Sequence, residues 1–102
     1  MKIVLDTNVL ISGLLKPDGT PGLIVRLIAS GYIELYYDFR IFNEYESVML
    51  RPKFGFDKDS VYDFLEQIKS QGHIVTSNPV DIELPDPDDI KFLEAALSSG
   101  CD

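Results

Sequence analysis

The chain has 102 residues, enough for one domain. Its composition, 45% apolar and 11% aromatic, supports a packed core and excludes a disordered polymer. A net charge of −8, from 17 acidic and 9 basic residues, argues against a basic nucleic-acid-binding face, unless carboxylates converge on divalent cations that reverse the local field.

Lys2 to Leu5 reads as a short buried strand, and a short helix is expected from about Asn8. Between them Asp6-Thr7-Asn8 interrupts an apolar run, where a charge is costly unless paired or coordinated. Pro17 to Gly22 is a turn-rich break. Thr20 is a candidate N-cap, with Pro21 at the first helical position, and that helix is expected to stop at Gly31. Ile33 to Tyr36 has strand character. Asp38 or a neighbour starts a helix from Phe39 to about Leu50, closed by Arg51-Pro52. Phe54-Gly55-Phe56 is a loop. Asp57 to Gln71 is amphipathic, with Val61, Phe64, Leu65 and Ile68 on one face. His73 to Thr76 is a third strand, Ser77 to Pro87 a loop, and Asp88 to Ser99 the last helix. Strands alternating with helices imply an α/β fold with a parallel sheet covered on both faces. Ligands of such sheets bind beyond the carboxyl ends of the strands, which is where Asp6 lies.

Three acids stand at the margins of apolar surfaces. Asp6 follows the first strand, where, taken alone, it reads first as a cap on the next helix. Glu44 falls on the stripe Ile41, Tyr45, Val48 and Met49, and Arg40, four residues earlier, could pair with it along the helix. Asp89 extends the stripe Phe92, Leu93, Ala96 and Leu97 toward the helix start, yet Asp86-Pro87-Asp88-Asp89 also reads as a cap, a first-turn proline and two acids on the helix dipole. If the three meet, their mutual repulsion calls for a cation, and oxygen ligands select hard ions such as Mg2+ or Mn2+. Such a site hydrolyses phosphodiesters by generating hydroxide and stabilising charge on the phosphorus oxygens.

VLDTNVLIS at the start, NEYESVMLRPKF in the middle and DPDDIKFLEAALSSG near the end resemble the PIN domain. More narrowly, they resemble its bacterial and archaeal VapC-like branch, the toxin components of toxin–antitoxin pairs. The resemblance covers nearly the whole chain in order. It implies a three-layer α/β/α sandwich with a central parallel sheet and a metal-dependent endoribonuclease. Asp6, Glu44 and Asp89 match the family's metal-binding and catalytic acids, with Asp88 or Asp86 able to substitute. Asn8 and Ser12 match polar positions that line the site, and Thr7 lies beside them in a supporting role. Arg40, Arg51 and Lys53 are candidate phosphate contacts, with Lys16 a further basic residue for substrate approach. The implied partners are RNA, an antitoxin protein and a second copy in a homodimer. Two departures stand out. Ile90 sits where the branch often has a polar residue. After Asp102 the family continues with a further strand and a threonine-glycine-asparagine or aspartate segment. Residues 1–102 are thus expected to form a single PIN-like domain lacking its last strand or strands, with weakened metal binding and cleavage.

Other chemistries find less support. A haloacid-dehalogenase-type phosphatase needs a second aspartate where Asn8 stands, and a receiver domain needs an adjacent acid pair after strand one. The single histidine, His73, reads as a solvent-facing strand-start residue. No glycine-rich phosphate loop follows a strand. Cys101, the single cysteine, excludes an internal disulfide and a thiolate zinc cluster. No apolar run approaches the roughly 20 residues that span a bilayer, and Asp6 and Asn8 interrupt any secretory signal, so a cytoplasmic location is expected. The rival of a different class is a catalytically inactive interaction module in which the acids are caps. The aromatics Tyr32, Tyr36, Tyr37, Phe39 and Phe42 would then pack the core or meet a partner.

Overall fold

The computed structural model describes residues 1–100, so Cys101 lies outside the described residues. Three short strands, β1 (Lys2–Ile3), β2 (Glu34–Tyr37) and β3 (His73–Ile74), form a parallel sheet in the order β1-β2-β3. Five helices flank it: α1 (Thr7–Leu15), α2 (Thr20–Ala29), α3 (Phe39–Met49), α4 (Lys58–Gln71) and α5 (Ile90–Ser99). Two 3-10 turns, Pro52–Phe54 and Pro87–Asp89, lead out of α3 and into α5. This is the α/β architecture expected from strands alternating with helices.

In β2, Leu35 and Tyr37 are buried on one face, while Glu34 is exposed and Tyr36 half-buried on the other. Leu35 meets Leu5, Leu10, Ile28, Phe64 and Ile68 around a small apolar void. Ile41, Tyr45 and Met49 bring the α3 stripe into the same core, and Val61, Leu65 and Ile68 bring that of α4. On the opposite face Tyr36 stacks on the exposed His73, with ring centroids 4.7 Å apart. Helices α1 and α2 pack closely because Gly13 and Gly22 carry no side chain. A Cβ at Gly13 would meet the Pro21 carbonyl and Val25, and one at Gly22 the Pro17 backbone.

Differences from the sequence expectations have local causes. The first strand ends its ladder at Ile3 rather than Leu5, and beyond that end the Leu5 carbonyl accepts a hydrogen bond from the buried Tyr45 hydroxyl (2.6 Å). Helix α2 is capped by Gly19, so Thr20 is already inside it. In α5 the buried positions are Glu94 and Ala95, while Leu97 is 59% exposed. The run Phe92-Leu93-Glu94-Ala95-Ala96-Leu97 is apolar around most of the helix, so its hydrophobicity selects the inward face poorly. The partners of the Glu94 carboxylate turn that residue inward instead. Of the clustered aromatics, Tyr37 is buried, Tyr36 and Phe42 are half-buried, and Tyr32 and Phe39 are exposed.

Tyr45 is wholly buried. Burial first, then the charges of Asp6, Glu44 and Asp38, push its phenol well above the ordinary value, so it remains a neutral donor. Tyr45→Phe should lower unfolding stability by about 1–2 kcal/mol by orphaning the Leu5 carbonyl, a loss read as a lower melting temperature with an unchanged far-UV spectrum.

Candidate active site

The site forms where β1 ends and the chain turns into α1. Asp6 is extended (φ −62°, ψ 140°) and caps α1, its Oδ2 accepting from the Asn8 N–H at 3.0 Å. The cap fixes this carboxylate at the carboxyl edge of the sheet. Thr7, the first residue of α1, is buried, and its hydroxyl donates to Glu44 Oε2. The other Glu44 oxygen, Oε1, receives Lys91 Nζ at 3.0 Å. Glu44 is therefore held from two sides, by α1 and by α5. Asp86 caps the turn that precedes α5, accepting from the Asp88 N–H at 3.0 Å. Asp89 stands at the start of α5 and makes no side-chain capping bond.

These residues line one cleft of about 380 Å³. Asp6, Thr7, Asn8, Glu44, Asp86, Asp88 and Asp89 contribute to its wall together with Val48, Arg51, Lys53, Phe54, Lys91 and Phe92. Five carboxylates thus face three cations. Lys53 Nζ lies over the Phe54 ring at 5.1 Å from the centroid, and Lys91 Nζ over that of Phe92 at 5.0 Å. The donor set, all carboxylate oxygen, suits a hard divalent cation. It is not closed around one: among the described residues no three His, Cys, Asp or Glu side chains are grouped tightly enough to hold a metal ion.

A model of the PIN domain family matches residues 2–102. The chain belongs to the PIN domain family. PIN domains are generally nucleases, and metal-binding acids at one edge of a parallel sheet are what such an activity needs. The chain is also similar to an uncharacterized protein of Methanocaldococcus jannaschii, 33% identical over 102 residues and covering 97% of this chain. The chain spans 66% of that relative's length. No solved structure gives a significant match. No helix among the described residues is long and apolar enough to cross a membrane.

The structure brings most of the expected residues of this PIN domain together, but not Ser12, Lys16 or Arg40. Ser12 is exposed on α1 and does not line the cleft. It lies six residues beyond Asp6, about 9 Å further along the helix axis. Arg40 does not pair with Glu44 either. Its Nη2 meets Asp38 Oδ2 at 2.7 Å, and its Nη1 meets Glu94 Oε1 at 2.8 Å. Both carboxylates are buried. The Ser77 hydroxyl and the Ile41 N–H donate to Asp38, and the Val80 N–H donates to Glu94. The guanidinium is thus committed to a cluster beside β2 and β3. Sequence reasoning missed three residues: Lys91, Asp38 as an ion-pair partner, and Glu94. Two signals were present. Glu94 interrupts an apolar run, and Lys91 and Glu94 are three apart on α5 while Arg40 and Glu44 are four apart on α3, a spacing that aligns both pairs on facing surfaces.

Burial works to raise the Asp38 carboxyl, but hydrogen bonds from Arg40, Ile41 and Ser77, with the Arg40 charge, outweigh it and hold the group below its usual range. Arg40, followed by the Val80 N–H, does the same for Glu94. Groups with lowered folded pKa values contribute stability that is fully present above the unfolded carboxylate range near pH 4 and is lost as pH falls through the lowered folded values. The denaturation midpoint should therefore hold level above that range and drop below it. Arg40→Met should lower the neutral plateau and flatten the acid limb, as measured by urea melts from pH 2.5 to 7.

Proposed function

We propose that this PIN domain is a divalent-metal-dependent endoribonuclease, the toxin of a toxin–antitoxin pair. Asp6, Glu44 and Asp89, with Asp88 adjacent, would hold Mg2+ or Mn2+. The observation that carries this reading is the convergence of acids from the starts of α1 and α5 and from mid-α3 on one cleft, at the edge where parallel sheets present their ligand sites. When bound, the ion supplies a water of lowered pKa and a counter-charge for the phosphorus oxygens.

The chain's own residues supply the rest. The Asn8 N–H fixes the Asp6 carboxylate, and the Thr7 hydroxyl orients that of Glu44. Arg51 and Lys53 are on the cleft wall beside the acids, suited to phosphates on either side of the scissile bond. Phe54 and Phe92 line the same cleft as apolar surface beneath the Lys53 and Lys91 ammoniums, and single-stranded RNA is the substrate proposed for it. The toxin role, an antitoxin partner and a homodimer follow from the branch the motifs resemble. One observation favours a second reading, an inactive interaction module: Glu44 is already satisfied by Lys91 and Thr7.

Incubation with single-stranded RNA and Mn2+ separates the two. Cleavage should appear with the metal, vanish with a chelator, and fall at least about 100-fold in Asp6→Asn. A folded wild type that leaves RNA intact in both Mg2+ and Mn2+ would favour the interaction module.

A further inference from the structure

We infer that Lys91 is a built-in counter-cation of the acid cleft, holding Glu44 in the metal-free protein and yielding that position to a divalent ion. The inference rests on the metal-site reading above and goes beyond it, since it gives a cationic side chain a role in metal occupancy.

Lys91 is poorly exposed for a lysine: its side chain has 13% relative exposure, against 30% for Glu44. Its ammonium sits at 3.0 Å from Glu44 Oε1, donates to the Asp88 carbonyl at 2.6 Å, and lies over the Phe92 ring, 5.0 Å from the centroid. An ammonium with a carboxylate, a carbonyl and a ring face as partners is fixed in place rather than left to wander in solvent. The charge goes to a half-buried carboxylate on α3 in a cleft with five acids and two other cations. Acids gathered like this repel one another, and the ammonium relieves that repulsion where a divalent ion otherwise would.

A lysine ammonium and a divalent ion compete for the same oxygen. The two states also join the same elements. Lys91 ties α5 to Glu44 of α3, and an ion held by Asp6, Glu44 and Asp89 would tie α5 to α3 and to the start of α1. Arg40 and Glu94 form a second tie between α3 and α5, so α5 stays attached while the cation is exchanged. This accounts for a cleft that has the donors for a metal and yet is not closed around one.

The test titrates MnCl2 into wild type, Lys91→Met and Lys91→Arg, reading melting temperature. In chelator, Lys91→Met should melt below wild type. With Mn2+ it should recover, with half-saturation at a concentration roughly fivefold lower than wild type, the ratio expected for removing a competing half-exposed ion pair. Lys91→Arg should track wild type. Equal Mn2+ dependence in wild type and Lys91→Met, or weaker binding in the variant, overturns the inference and leaves the metal site standing. No response in any of the three proteins removes both. Should Lys91→Met fail to fold, wild type alone decides: Mn2+ should raise the labelling of Lys91 by an amine-reactive reagent, read by peptide mass spectrometry. Unchanged labelling at saturating Mn2+ overturns the inference.

Discussion

Two ion pairs of opposite sense attach α5 to α3, and the shape of the acid cleft follows from them. Arg40 faces Glu94 and Glu44 faces Lys91. As residue number rises on one helix it falls on the other, so the helices run antiparallel here and each presents one cation and one anion to its neighbour. Along a single helix, Arg40 and Glu44 could have paired with each other for a few tenths of a kcal/mol. Pairing across helices instead satisfies a buried glutamate that would otherwise be costly to keep charged. It also sets where the start of α5, with Asp88 and Asp89, meets the rest of the molecule.

The carboxyl edge of the sheet uses one local device twice. Asp6 follows β1 and caps α1, and Asp38 follows β2 and caps α3. Their surroundings separate them. Asp38 is buried and receives Arg40, Ser77 and the Ile41 N–H, so its charge is spent on structure. Asp6 is half-buried, accepts one backbone N–H, and shares a cleft in which acids outnumber cations. Capping and chemistry are therefore not competing explanations for Asp6. The cap holds the carboxylate still, and the lack of neutralising neighbours leaves it available.

This bears on what could be seen from the residues alone. Element order and the α3 and α4 stripes were legible because their periodicity is strong and their buried faces are apolar. Asp6, Glu44 and Asp89 were legible as acids at the edges of apolar surfaces. The inward face of α5 was not, since a buried ion pair with a residue 54 positions away decides it, and hydrophobic periodicity carries no information about such a partner. Arg40 was misplaced because Glu44, one turn along its helix, was weighed as its partner, whereas its guanidinium meets Asp38, the cap two residues before it, and Glu94, which is near only in space. Lys91 was not singled out, because its spacing from Glu94 does not by itself say that its ammonium turns back toward α3.

The phenol of Tyr45 has a mechanical meaning beyond its contribution to folding. It fastens the last carbonyl before Asp6 to the residue immediately after Glu44. A nudge that slides α3 along the core must carry the end of β1 with it, so the gap between these two acids is stiff whatever occupies the cleft. The remaining acids stand on the turn into α5, whose link to α3 runs through the side-chain ion pairs instead of through this bond.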